Sequence, residues 1–147
     1  MAKTAGYSGT PLPRKLGVKP GHRLVLAHAP WRGSWPAGHD ALPDDVTVVA
    51  GLRGTAPADV IVAFFMRARD LERRFPPLAA RLKPDGALWI AWPKLAARKA
   101  QGLDSDLSDN TVREIGLAAG LVDVKVCAID ETWSGLKFVY RVKDRPD

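Results

Sequence analysis

The chain has 147 residues, of which 46% are apolar and 26% charged, a globular composition that excludes intrinsic disorder. One cysteine, Cys127, excludes an internal disulfide and any CxxC zinc site. Lys and Arg number 22 against 16 Asp and Glu; the net charge of +6 favours anionic partners such as phosphorylated metabolites or acidic protein surfaces.

No stretch approaches the roughly 18 consecutive apolar residues of a membrane span. The opening MAKTAGYSGTP holds no apolar signal core, so a cytoplasmic chain is expected. Length predicts a single domain over 1–147, with a Gly/Pro-rich segment at 1–21 and a charged, frayed tail at 143–147.

In chain order, a short helix is expected over Thr10–Leu16, capped by Thr10, with Pro11 at its first position and Gly17 ending it. Arg23–His28 is a near-continuous apolar run, the mark of a strand buried on both faces. Pro30, Pro36 and Pro43 exclude a long helix after it. Val46–Ala50 and Ala58–Met66 are the second and third strands. Over Arg69–Leu82, the apolar residues Leu71, Phe75, Leu78 and Leu82 form one helical face, which Pro76 and Pro77 are expected to kink or split.

Lys83-Pro84-Asp85-Gly86 signals a turn before a fourth strand, Ala87–Trp92. Residues 94–107 read as a polar, mobile connection. Ser108 or Asp109 caps a helix running to Ala119, closed by Gly120. Val122–Ile129 and Leu136–Val142 are the fifth and sixth strands, joined by a turn at 130–135. So short a link suits a hairpin, and the last strand should run antiparallel to the rest.

The expected fold class is therefore α/β: a mostly parallel six-stranded sheet with helices on both faces and an antiparallel C-terminal hairpin strand. That arrangement, with Leu82-Lys83-Pro84-Asp85-Gly86-Ala87-Leu88-Trp89-Ile90 leading into a late strand, resembles the Rossmann-type class I methyltransferases. The resemblance implies S-adenosylmethionine, held by a Gly-rich turn after the first strand and an acidic residue after the second. Here the first strand ends His28-Ala29-Pro30-Trp31-Arg32-Gly33, and the second ends Val49-Ala50-Gly51-Leu52-Arg53. Both cofactor handles are missing, so no cofactor is expected on a shortened methyltransferase-like fold.

Ala5-Gly6-Tyr7-Ser8-Gly9-Thr10-Pro11-Leu12, Trp92-Pro93-Lys94 and Asp130-Glu131-Thr132-Trp133-Ser134-Gly135-Leu136-Lys137-Phe138 make the chain similar to the DUF3052 family of small bacterial, mainly actinobacterial, proteins. That resemblance spans nearly the whole chain and implies no activity.

Ligands of open parallel sheets bind beyond the carboxyl ends of the strands. This selects His28, Trp31 and Arg32 after the first strand, Arg67 after the third, and Trp92 and Lys94 after the fourth. Asp130, Glu131 and Trp133 follow the fifth, and Lys137 is placed on the same rim. Tryptophan with Arg or Lys suits a stacked ring carrying an anion. Structural roles compete: Trp92 as core filler, Trp133 as a hairpin pin, Asp130 as a cap on turn amides. His28 is either a general base or a hydrogen-bonding structural residue. Three separated histidines give no metal motif, and Ser134-Gly135 lacks a hydrolase frame. The basic run at 67–99 comes with no nucleic-acid motif, so no nucleic-acid or membrane partner is expected.

The leading expectation is a non-catalytic module that binds an anionic small molecule or an acidic protein partner on this rim. One alternative is a methyltransferase with an unorthodox S-adenosylmethionine pocket. Another is a protein–protein adaptor using the N-terminal segment and the 94–107 loop.

Overall fold

The structure, a computed structural model, describes residues 10–31, 34–36 and 38–145. Arg32, Gly33, residues 1–9 and the last two residues of the tail, all named above, lie outside them.

Helix α1 (Leu12–Leu16) precedes strands β1 (Arg23–Ala27), β2 (Thr47–Ala50) and β3 (Ala58–Phe64). Helix α2 (Ala68–Ala80), strand β4 (Leu82–Pro93), and helices α3 (Leu95–Gln101) and α4 (Asp109–Ala118) follow. Strands β5 (Val122–Ala128) and β6 (Trp133–Val139) complete the fold. The six strands form one sheet in the order β2-β1-β3-β4-β6-β5. All run parallel except β6, which pairs antiparallel with both β4 and β5. This is the mixed α/β sheet that the sequence pattern predicts.

The central strands are buried on both faces, which is why β1, β3 and β4 are apolar runs without alternation. One face packs Val25, Ile61, Leu88, Ile90 and Phe138 against Leu71, Phe75 and Leu78 of α2 and Val112 of α4. The other packs Leu24, Leu26, Val62 and Trp89 against Leu12 and Leu16 of α1. Trp89 is fully buried and donates its indole N–H to the Leu16 carbonyl at 3.0 Å, which ties α1 down. No helix among the described residues is long and apolar enough to cross a membrane.

Several boundaries depart from expectation. Pro11, not Thr10, is the N-cap of α1, while Gly17 ends it at φ 84° as expected. Helix α2 runs unbroken through Pro76 and Pro77. Both prolines, and the Glu72 and Arg73 whose carbonyls lose a helical donor, are exposed, so water can replace the missing bonds. Lys83–Gly86 is the irregular start of β4 rather than a turn: Leu82 pairs with Ala58, the register shifts, and pairing resumes at Ala87 with Val60. A Cβ on Gly86 would stand 3.0 Å from the carbonyl oxygens of Ala58 and Asp59, so glycine permits this close approach.

Residues 94–107 are not a loose connection. They contain α3, and Arg98 donates to the carbonyls of Pro93 (3.2 Å), Ser105 (3.2 Å) and Leu107. Asp106 accepts from the Ala68 amide at 2.8 Å and so satisfies the N-terminus of α2. Ser108 caps α4 through the Thr111 amide. Strand β6 begins at Trp133, three residues earlier than expected.

The link between β2 and β3 is residues 51–57 alone. Parallel strands usually need a crossover of about a dozen residues or more, most often containing a helix. Here no helix lies between them, which leaves room beside the end of β1.

Candidate functional site

In an open α/β sheet the ligand crevice forms where strand order reverses about a strand. Here β1 has β2 on one side and β3 on the other, so the reversal lies at β1. A cavity of about 370 Å³ opens at the carboxyl ends of β1 and β3, lined by His28, Phe64, Phe65, Met66, Asp70, Arg73, Arg74 and Trp133.

Each wall has a local cause. His28 follows β1 at φ 56°, a left-handed conformation in which histidine is enriched several-fold among non-glycine residues. Its ring meets Phe65 edge-on at 5.5 Å. Phe64 and Phe65 are consecutive at the end of β3, so they face opposite sides of the sheet and meet again only at its open end. Asp70, Arg73, Arg74 and Pro77 form the stripe of α2 that flanks the buried Leu71, Phe75 and Leu78. Trp133, the first residue of β6, sits perpendicular to Phe64 at 5.1 Å.

The cations are not equivalent. Arg73 is paired with Asp70 at 3.4 Å, whereas Arg74 has no ion-pair partner among the described residues. Desolvation of the ring, then the neighbouring Arg74, hold the His28 pKa below the usual imidazole value, against a smaller opposing pull from Asp70. A second cavity of about 150 Å³ adjoins, lined by Ala27, Gly51, Leu52, Pro77 and Leu78 together with the same His28 and Arg74.

Of the residues selected by the strand-end rule, His28 and Trp133 line this pocket. Trp31 packs behind it, 5.0 Å from Phe64, in a cluster with Trp35 and His39. Arg32 lies outside the described residues. Arg67 is paired with Asp104. Trp92 is 6% exposed and belongs to the core with Phe65, Leu71 and Leu107. Asp130 accepts the amides of Thr132 and Trp133, both at 2.8 Å, and shapes the β5–β6 turn; Glu131 beside it is exposed.

Lys94 precedes α3, and its amide donates to the Thr132 carbonyl at 2.8 Å. Desolvation lowers its ammonium pKa, with Asp130 and Glu131 pulling the other way. Lys137 is not on the rim. Register places it opposite Trp89 in the middle of the sheet, on the face that α1 covers. Desolvation, then Lys125 and Lys19, lower its pKa.

Phe64, Phe65, Met66, Asp70, Arg73 and Arg74 complete the described lining of the pocket and were absent from the strand-end selection. For Asp70, Arg73 and Arg74 the signal was the charged stripe of α2, which reads from sequence as a solvated face; Phe64 and Phe65 read from sequence as part of the apolar run of β3. No group of three or more His, Cys, Asp or Glu among the described residues could hold a metal ion.

No protein-family model matches the chain, and neither does any curated protein. Solved structures do. A SAM-dependent methyltransferase from Aquifex aeolicus is 16% identical with a TM-score of 0.54, over 85% of either chain. Magnesium protoporphyrin IX methyltransferase (ChlM) from Synechocystis PCC 6803, solved with bound SAH, is 14% identical with a TM-score of 0.51, over 83% of this chain and 75% of its own. The O-methyltransferase NcsB1 from neocarzinostatin biosynthesis is 16% identical with a TM-score of 0.50; the match covers 66% of this chain and 34% of NcsB1, so the chain spans about a third of that enzyme. Likeness at these identities establishes architecture alone: the chain has the Rossmann-like fold of class I SAM-dependent methyltransferases.

Proposed function

We propose that the chain is a binding module on a methyltransferase-type scaffold, taking an anionic small molecule in the pocket at the ends of β1 and β3 without turnover. The observation that carries this reading is the pocket's composition. Aromatic walls (Phe64, Phe65, Trp133) stand beside two arginines and a histidine, with one carboxylate among them. Aromatic surface with arginine is a workable platform for a ring that bears an anion.

The fold family implies S-adenosylmethionine, and the residues present do not fit it. The end of β2 offers Gly51, Leu52 and Arg53, with no carboxylate for ribose hydroxyls. Arg81 donates to the carbonyls of Arg53 (3.2 Å) and Leu52 (3.5 Å), which adds a cation there instead. The turn after β1 carries an imidazole where the family's glycines would leave space. A sulfonium also gains nothing beside Arg73 and Arg74. Membership of the DUF3052 family goes with this reading, as does a cytoplasmic setting, which suits a free Cys127.

A thermal-shift titration tests it, with S-adenosylmethionine, S-adenosylhomocysteine and a panel of carboxylated and phosphorylated compounds. A native-state binder at about a hundred times its Kd adds about 2.7 kcal/mol, a rise in Tm of roughly 5–10 °C for a chain of this size. Arg74→Gln should abolish the rise. A shift with the adenosyl compounds alone would overturn the reading in favour of a methyltransferase. No shift with any compound would refute the pocket and turn the search to an acidic protein partner.

A further inference from the structure

Building on the anion-binding reading, we infer that the ligand is a small flat aromatic monocarboxylate and that its binding takes up a proton. The ring enters the larger cavity, and the carboxylate lies at the wall shared by the two cavities, between His28 and Arg74.

Size sets the first limit. A volume of about 370 Å³ is near the lower end of small-molecule sites, which run from roughly 300 to 1,000 Å³. Ring walls on the β3 and β6 sides match a flat aromatic body better than a sugar or an aliphatic chain. The position of the anion follows from the lining. His28 and Arg74 are the residues that the two cavities have in common, so an anion at that wall meets both.

Charge counting sets the valence. Asp70 offsets Arg73, which leaves Arg74 as the net cation of the pocket while His28 is neutral. One net positive charge suits a monoanion, and a guanidinium fork suits a carboxylate.

The proton follows from the neighbours of His28. From α2 it faces Arg74 and Asp70, with Arg73 farther along the same wall. Among the described residues, those it faces from the ends of β2, β3 and β6 are uncharged: Gly51 and Leu52, Phe65, and Trp133. A carboxylate placed between His28 and Arg74 offsets the repulsion that disfavours the imidazolium, so the bound state holds the proton more tightly than the free state. Affinity therefore rises as pH falls, by about tenfold for each unit that the ligand adds to the His28 pKa. It stops rising once pH falls below the His28 pKa of the free protein, where both states hold the proton, and it declines near pH 4, where an ordinary carboxylate itself titrates.

Calorimetric titrations at about pH 8 and about pH 6, in buffers of differing ionisation enthalpy, test this. The probes are indole-2-carboxylate, indole-2-carboxamide, cyclohexanecarboxylate and 1-naphthyl phosphate. The inference expects indole-2-carboxylate to bind about threefold or more tightly at the lower pH, with net proton uptake. The amide and the cyclohexane acid should bind at least about tenfold more weakly. His28→Asn, chosen because asparagine tolerates the left-handed backbone, should bind the carboxylate with no pH dependence. Arg74→Gln should lose at least about tenfold, with an unchanged melting temperature in each variant's apo form. A pH-independent wild type, equal binding of cyclohexanecarboxylate, or tighter binding of the aryl phosphate would overturn the inference and leave the broader anion-binding reading standing. Failure of every anion to bind would overturn both.

Discussion

Gly116, in the last turn of α4, is a position where a single methyl group should do great harm. A Cβ there would stand 2.0 Å from Cε1, 2.5 Å from Cζ and 2.6 Å from Cδ1 of Phe138. Phe138 cannot retreat easily: it is fully buried in β6, and its ring meets the equally buried Phe75 at 5.2 Å and 90°. Two effects oppose each other in Gly116→Ala. Helix propensity favours alanine by about 0.5–1 kcal/mol. Overpacking a dense core costs typically about 1–3 kcal/mol, and a contact this short belongs at the upper end. Packing wins by about 2 kcal/mol, a fall in Tm of roughly 4–8 °C. Urea unfolding followed by far-UV circular dichroism measures the difference directly. In a Phe138→Leu background the ring is gone, and the same Gly116→Ala change should be neutral or stabilising. A Gly116→Ala protein as stable as wild type, or one equally destabilised in the Phe138→Leu background, would refute the reasoning.

Arg98→Met keeps the aliphatic stem but strips the donors from three carbonyls; we expect a loss of about 2–3 kcal/mol and faster hydrogen exchange at the amides of 103–107. Asp130→Ala removes the Oδ1 that accepts both amides of the β5–β6 turn, which should cost about 1–2 kcal/mol in denaturant unfolding and weaken ligand binding through Trp133, while Asp130→Asn should retain most of both. Asp59 has a pKa below its ordinary value: burial raises it, but the Arg23 amide at 2.8 Å, Lys83 at 3.0 Å and His22 together outweigh burial. Its stabilisation is therefore complete above the ordinary carboxylate range near pH 4 and is lost as pH falls through the depressed value. Asp59→Asn should be less stable than wild type at neutral pH, with the gap narrowing in acid unfolding curves below about pH 4; a constant gap would count against the linkage.

Most of the sheet was legible because burial on both faces leaves unbroken apolar runs at β1, β3 and β4. Where the reading slipped, a neighbour in space decided the outcome. Ser134-Gly135 looks like a turn, yet Gly135 is in β6, because a Cβ there would stand 2.9 Å from Ile129 and 3.2 Å from Trp89. The glycine makes room for a core; it does not bend the chain. Helix α3 carries strong helix formers between Pro93 and Gly102, but it buries only Ala97 and so shows no apolar stripe. Its order comes from Arg98 reaching carbonyls before and after it, a contact pattern that periodicity does not encode.

The site was legible in place and not in membership, for one physical reason. A polar residue at a strand end can satisfy backbone groups, pair with another charge or face a ligand, and sequence does not say which use wins. Asp130 goes to turn amides, Arg67 to Asp104 and Trp92 to the core, while Lys137 falls a few register steps short of the rim. What is left facing the crevice is His28, Trp133 and the outer stripe of α2. That stripe can reach the end of β1 because the link at 51–57 carries no helix to stand between them. The short link thus leaves Arg74 and His28 on one wall, with Gly51 and Leu52 of that link lining the second cavity beside them.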